Sequence, residues 1–178
     1  DEKIAGLADK FRLGVIVIFN KWDKVHTSYK KIVEEFRFKF KFLYFAPIMT
    51  ASALTLRNVD KIKDKILEIH NNYSQRVSTS KLNDIIKKAT ERHQLPSEKG
   101  TMVRIYFATQ FSTKPPKIAL VMNKPQALHF SYKRYLVNTL REHCNFEGVQ
   151  ISIIPRKKGE RADNTEEVKE NKKEILGK

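Results

Sequence analysis

The apolar run Val15-Ile16-Val17-Ile18-Phe19 leads straight into Asn20-Lys21-Trp22-Asp23. No other feature constrains the fold of this chain as tightly. The run is β-branched or aromatic throughout and follows Gly14, so it predicts a strand buried on both faces, of the kind found in parallel sheets. A second short apolar run, Ala46–Ala51, ends in Ser52-Ala53-Leu54. Between the two, Tyr29, Ile32, Val33 and Phe36 recur at helical spacing. The order is therefore strand, helix, strand, with a polar loop after each strand.

Asn20-Lys21-Trp22-Asp23 after a strand resembles the N-K-x-D guanine-reading element of Ras-like GTPases, and its residue types suit that task. A carboxylate at Asp23 can accept two hydrogen bonds, from guanine N1–H and from the 2-amino group, and adenine offers neither in that place. Charge-assisted bonds of this kind contribute about 1.5–3 kcal/mol each. Asn20 is expected to tie its loop to the neighbouring one, and the Lys21 stem to lie along the face of the base. Ser52-Ala53-Leu54 resembles the loop of Ras-like GTPases whose backbone N–H meets guanine O6. The candidate guanine-binding residues are thus Asn20, Lys21, Asp23, Ser52, Ala53 and Leu54, with GTP or GDP as the ligand. No Gly-x-x-x-x-Gly-Lys-Ser/Thr loop occurs, and no Asp-x-x-Gly precedes Asn20. The phosphate loop, the Mg²⁺-holding groups and the switch segments have no counterpart. The expectation is a chain that carries the base-reading half of such a site without its catalytic half. Alone, it should bind nucleotide weakly and hydrolyse nothing.

The formal charge is +15, and residues 81–158 hold 15 Lys and Arg against 5 acidic residues. Such an excess favours a polyanionic partner. No apolar run approaches the roughly 18 residues of a membrane span, and no signal peptide is visible. The lone Cys144 allows no intrachain disulfide and fits a reducing cytoplasm. The five histidines show no ligand spacing with carboxylates or a second Cys, so no metal site is expected.

Asp1–Phe11 reads as a helix with the stripe Ile4, Leu7, Ala8 and Phe11. Arg37–Phe42 alternates Phe with Lys or Arg, which read alone is an amphipathic strand; the strand–helix–strand order argues instead for the end of the helix and the approach to the next strand, and both readings stay open. Its rings beside cations also admit stacking on RNA bases, against packing on the sheet. Val59–Tyr73 is a helix with Val59, Ile62, Ile66, Ile69 and Tyr73 on one face. Ser74–Ser80 reads as a polar linker, the expected point of proteolysis. The preceding segment is expected to be loose alone, because the partner strands of Val15–Phe19 would lie before Asp1. Thr79 or Ser80 can cap a helix over Lys81–His93. Strands follow over Met102–Phe111, with Val103, Ile105 and Phe107 on one face, and over Lys117–Met122. A helix over Tyr132–His143 is capped by Ser131. A last strand, Val149–Ile154, is stopped by Pro155. Residues 159–178 are charged and expected to be disordered. The order helix, strand, strand, helix, strand over residues 81–158 suits a KH-like layer of helices on a sheet. No two glycines lie three apart, so the phosphate clamp of an RNA-gripping KH domain is missing.

Taken together, these stretches resemble the bacterial double-Era-like GTPase family, Der or EngA. The resemblance is carried by Lys3–Ala8, Asn20–Lys24, Tyr44–Ile48 and Ser52–Leu54, then by Ile105–Gln110, Lys114–Pro116, Leu128–Leu136, Leu140–Glu142 and Phe146–Gly148. It implies a fold in two parts. The first is part of a Ras-like P-loop GTPase α/β domain over residues 1–73. After a linker at 74–80, an α+β KH-like domain spans 81–158. It implies further a cytoplasmic, monomeric protein with tandem GTPase domains that hydrolyses GTP with Mg²⁺ and acts in assembly of the large ribosomal subunit. The partners would be rRNA and the upstream GTPase domains. Candidate RNA contacts are Lys114, Lys117, Lys133, Arg134, Arg156, Lys157 and Lys158. The rival readings are a stand-alone KH-like RNA-binding module without nucleotide function, and a module whose basic face meets another protein.

Overall fold

A computed structural model describes residues 2–98 and 100–160; the predicted disordered tail lies outside the described residues from position 161 onward. The first half is a small α/β unit: α1 (Glu2–Lys10), β1 (Val17–Phe19), α2 (Tyr29–Lys39), β2 (Ile48–Thr50) and α3 (Val59–Ser74). Strands β1 and β2 pair in parallel, Val17 opposite Ile48 and Phe19 opposite Thr50. β1 is shorter than expected, and it is not buried on both faces, since Ile18 is 37% exposed. Among the described residues β1 pairs with β2 alone, so its other edge is open, and face burial depends on elements packed over the sheet. The α1 stripe also stays in solvent, with Ile4, Leu7 and Phe11 all exposed.

The alternating segment is helical. Helix α2 runs to Lys39 and a 3₁₀ turn follows over Lys41–Leu43. Phe36, Phe40 and Phe42 then fall on one side, against buried Leu43, Phe45 and Ala46. Phe36 and Phe40 stack at 4.7 Å. Phe38 points out, with the Lys41 ammonium 5.0 Å over its ring. Arg37 donates to the carbonyls of Leu43 and Ala46, which fixes the turn that feeds β2.

The second half comprises α4 (Thr79–Arg92), β3 (Ile105–Ser112), β4 (Lys117–Met122), α5 (Phe130–His143) and β5 (Ser152–Arg156). The sheet order is β3-β4-β5, with β3 antiparallel and β5 parallel to β4. One core joins α4, the sheet and α5 through Leu82, Ile86, Ile118, Leu120, Leu136, Leu140 and Phe146. Four details depart from the sequence expectation. A bulge between Ile105 and Phe107 breaks the alternation of β3, so Ala108 and Gln110 turn inward and Phe107 is 45% exposed. Ser78, not Thr79 or Ser80, caps α4, accepting from Lys81 N–H at 3.3 Å. Helix α5 starts at Phe130 after His129, with no side-chain cap from Ser131. Pro155 lies inside β5, which is tolerated because β5 is an edge strand whose outer N–H needs no partner.

The linker is not free. Gln110, nearly fully buried, donates to Gln75 O at 3.0 Å and accepts from Val77 N–H at 2.8 Å. The two halves also meet along residues 145–150. Gly148 donates to Phe45 O at 2.9 Å and accepts from Val15 N–H at 2.8 Å. Asn72 donates to Glu147 O, and Lys65 reaches Glu147 at 3.1 Å. Arg141 donates to Phe146 O and Val149 O and lies over the rings of Tyr44 and Phe45 at 5.5 and 5.6 Å. Its partners here are carbonyls and rings, not the acidic groups that an ion-pair brace would use.

Gly148 has φ +74°, and a Cβ there would lie 2.6 Å from Ile69 Cδ1. Gly148→Ala should therefore destabilise the chain by about 1–3 kcal/mol through backbone strain and overpacking. Urea unfolding reads this as a lower midpoint; an unchanged midpoint would contradict the close contact of this seam.

Candidate functional site

Because β1 and β2 are parallel and in register, the loops that follow them leave the same edge side by side. Three contacts lock them together. Asn20 Oδ1 accepts from Lys21 N–H at 2.7 Å and from Ala53 N–H at 3.2 Å, one bond in each loop. Trp22 N–H donates to Ala51 O at 3.1 Å. Ser52 Oγ donates to Asp23 Oδ1 at 2.5 Å and accepts from Thr55 N–H at 3.2 Å. Ser52 is wholly buried while Asp23 is exposed, so the hydroxyl holds the carboxylate from beneath and leaves its outer face open.

The backbone adopts uncommon angles to achieve this. Lys21 has φ 59°, in the left-handed region, and starts the 3₁₀ turn Trp22–Lys24 that presents Asp23. The Trp22 ring meets Tyr29 edge-on at 6.0 Å, anchoring that turn to α2. The second loop is closed by Ser52 N–H bonding Arg57 O at 3.1 Å and by Asn58 Nδ2 bonding Thr50 O at 3.1 Å.

The Ser52 hydrogen bond holds the Asp23 carboxyl below its ordinary value, and Lys24 nearby adds to the effect. Its ionised, acceptor-only form is the one that can take two donors from a base edge. The six predicted positions are thus brought together, though with different tasks. Asn20 cross-ties the loops, Ser52 orients Asp23, and the Ala53 N–H is turned to Asn20. Lys21 and Leu54 stand exposed at the rim, Leu54 at 79%. Thr55, Arg57 and Asn58 take structural roles that the sequence reading missed; the spacing of Ser52 and Thr55, which closes a local hydroxyl turn, was the available signal.

The seven basic candidates do not form one patch. Lys117 and Arg156 are buried, at 7% and 8% exposure, and Arg156 lies over the Phe111 ring at 4.9 Å. The register explains the division of the others. Lys117 pairs with Ser152 at one end of the sheet, and Val121 with Arg156 at the other. Lys114 therefore sits at the end nearer the α/β half, where Gln110 holds residues 75–77. Lys157 and Lys158 follow the far end of β5. Lys133 and Arg134 lie one turn along α5 from Phe130, and the helix's approach through Pro125–Ala127 packs on β5. Lys114, Arg134, Lys157 and Lys158 are exposed and Lys133 is half-buried.

Two parallel strands with cross-tied loops at one edge, joined to a helix-on-sheet layer of KH type, define an α/β segment followed by a KH-like domain. Residues 76–156 match the family described as the KH-domain-like of EngA bacterial GTPase enzymes, C-terminal. The chain is 55% identical over 94% of its length to GTPase Der of Nitratiruptor sp., and 51% identical over 98% to GTPase Der of Helicobacter hepaticus. It belongs to this EngA, or Der, family. It spans 36% of the length of each of these relatives. Among solved structures, Era of Aquifex aeolicus bound to GDP·AlF4⁻ aligns at a TM-score of 0.34 and 17% identity, over 88% of this chain and 60% of that one. The family model and the topology above, rather than that likeness, fix the fold. Among the described residues no helix is long and apolar enough to cross a membrane.

Because Ser52 is the largest cause of the low Asp23 pKa, Ser52→Ala should raise it toward the ordinary carboxylate value. In the parent chain the ionised form persists to lower pH and is lost only as pH falls through the depressed pKa; in the variant that loss begins at higher pH. A carboxyl-detected NMR titration of Asp23 reads the shift, and superimposable curves would remove Ser52 from this role.

Proposed function

We propose that this chain supplies the guanine-reading loops and the basic KH-like domain of a ribosome-assembly GTPase acting on the large ribosomal subunit in the cytoplasm. Residues 1–73 are the end of its second GTPase domain, 74–80 the connection, and 81–158 the KH-like domain. The observation that supports this best is the corner of Asn20, Asp23 and Ser52, with an ionised carboxylate held from below and open above. GTP and GDP fit this donor set at the base. Asp23 would accept from N1–H and the 2-amino group, and the Lys21 stem would flank the ring. The phosphates and their Mg²⁺ need a Gly-rich loop and metal-holding side chains that the sequence does not contain. Hydrolysis is therefore assigned to the longer protein and not to these residues.

The KH-like domain has two tasks in this reading. At the end facing the α/β half it acts as a brace, through Arg141, Gly148 and Glu147. At the far end its exposed cations meet rRNA. Buried Lys117 and Arg156 are assigned to packing, which narrows the RNA-facing set to Lys133, Arg134, Lys157 and Lys158. Lys114 lies toward the brace. The monomer is the form in which this division operates.

In the full-length protein, Asp23→Asn should weaken GDP binding by about ten- to a hundredfold. An amide in place of the carboxylate loses one charge-assisted acceptance and turns a donor toward the base. Calorimetric titration measures it, and an unchanged GDP affinity would rule out the base-reading role.

A further inference from the structure

The far end of the KH-like sheet carries an exposed ring that the folded domain does not use. Phe130, the first residue of α5, is 76% exposed. Among the described residues it meets no other ring and no cation, whereas the equally exposed Phe38 has its own Lys41 over the ring. Leaving a phenyl group in water forgoes roughly 1.5–3 kcal/mol of burial. Neighbouring Leu128, Leu136 and Val137 are buried, so apolar side chains in this stretch do have a core to enter. Lys133 and Arg134 lie within the next turn of the same helix, and Lys157 and Lys158 follow β5 at the same end of the sheet.

The surrounding backbone sharpens the point. The Pro125–Ala127 turn and α5 are separated by Leu128 and His129 alone. A KH domain that clamps RNA places a Gly-x-x-Gly loop between two helices, where bare backbone approaches phosphates. Here the junction between two helical segments has no glycine, and a ring stands beside it in place of that clamp. An aromatic face flanked by cations is the arrangement that stacks an unpaired base while the phosphates on either side are neutralised.

We propose that Phe130 is a stacking platform for an unpaired base of single-stranded RNA, with Lys133, Arg134, Lys157 and Lys158 holding the adjoining phosphates. The proposal rests on the RNA reading of the basic face given above and adds the class of RNA and the contact that selects it. Stacking is tolerant of base identity, so the site prefers unpaired over duplex RNA and takes purines more tightly than pyrimidines. The ring adds affinity without charge, so it leaves no mark on the salt dependence, which belongs to the lysines and arginine.

The test uses the full-length protein with fluorescein-labelled oligo(A), oligo(U) and an RNA duplex, titrated by anisotropy at several salt concentrations. Phe130→Ala should weaken oligo(A) binding about 5- to 100-fold, with the salt slope and the GDP affinity unchanged. Phe130→Trp should retain binding, and its new indole should be quenched by oligo(A). Lys157→Glu with Lys158→Glu should weaken all three RNAs and flatten the slope. If Phe130→Ala binds oligo(A) like the parent while the double charge reversal fails to bind, the stacking contact is overturned and the basic face stands. If neither variant changes RNA affinity, both are overturned. A loss confined to duplex RNA would also overturn the stacking proposal.

Discussion

The parallel pairing of β1 with β2 is the constraint from which the site follows. With Phe19 opposite Thr50, the two chains leave the sheet at the same level, and their next residues fall within hydrogen-bonding reach. Asn20 can then bond the Ala53 N–H, and Ser52 can sit beneath Asp23. A slip of one residue would turn every side chain to the opposite face and separate these groups. The register is held by packing behind the strands. Val17 joins the Leu43, Phe45 and Ala46 cluster, and Arg37 fixes the turn leading into β2. A corner that looks like loop chemistry is thus decided by a few apolar contacts and one arginine.

The same elements run from the loops to the KH-like domain. Val15, two residues before β1, donates to Gly148 O, and Gly148 donates back to Phe45 O near the start of β2. Helix α3 begins at the closure of the second loop and presents Ile69, Lys65 and Asn72 to residues 147–148. Half-buried Arg141, its pKa lowered by burial, turns both terminal nitrogens of its guanidinium to carbonyls and lies over ring faces, while its Nε finds no partner among the described residues. The connection at Gln75–Val77 is pinned by Gln110. The junction is therefore hydrogen-bonded backbone and close packing, not a polar tether.

Much of this was legible in the sequence, and the reasons differ by element. Helices α1, α3 and α4 and strand β4 announce themselves by period, and the meeting of the two loops by polar residues at the strand ends. What periodicity could not show was context. Val15–Phe19 reads as buried on both faces because its side chains are apolar, yet burial depends on what packs over each face, and Ile18 stays exposed. Alternation assumes an unbroken strand and so puts Phe107 inward, and the bulge after Ile105 reverses it. Lys117 and Arg156 were grouped with surface cations by charge alone. Only the sheet register shows that they lie at opposite ends, and only the packing shows that both are buried. The polar composition of Ser74–Ser80 suggested freedom, whereas Gln110, distant in sequence, supplies the partners that hold it.

In the reading proposed above, Asp23 takes two donors from guanine. Inosine diphosphate keeps N1–H and O6 but lacks the 2-amino group, so it removes one of those donors and changes nothing on the protein. In competitive titrations of the full-length protein, it should bind about tenfold or more weakly than GDP, the loss of a single charge-assisted hydrogen bond. Equal affinities for the two nucleotides would contradict the account, because Asp23 would then not be reading the base edge that defines this site.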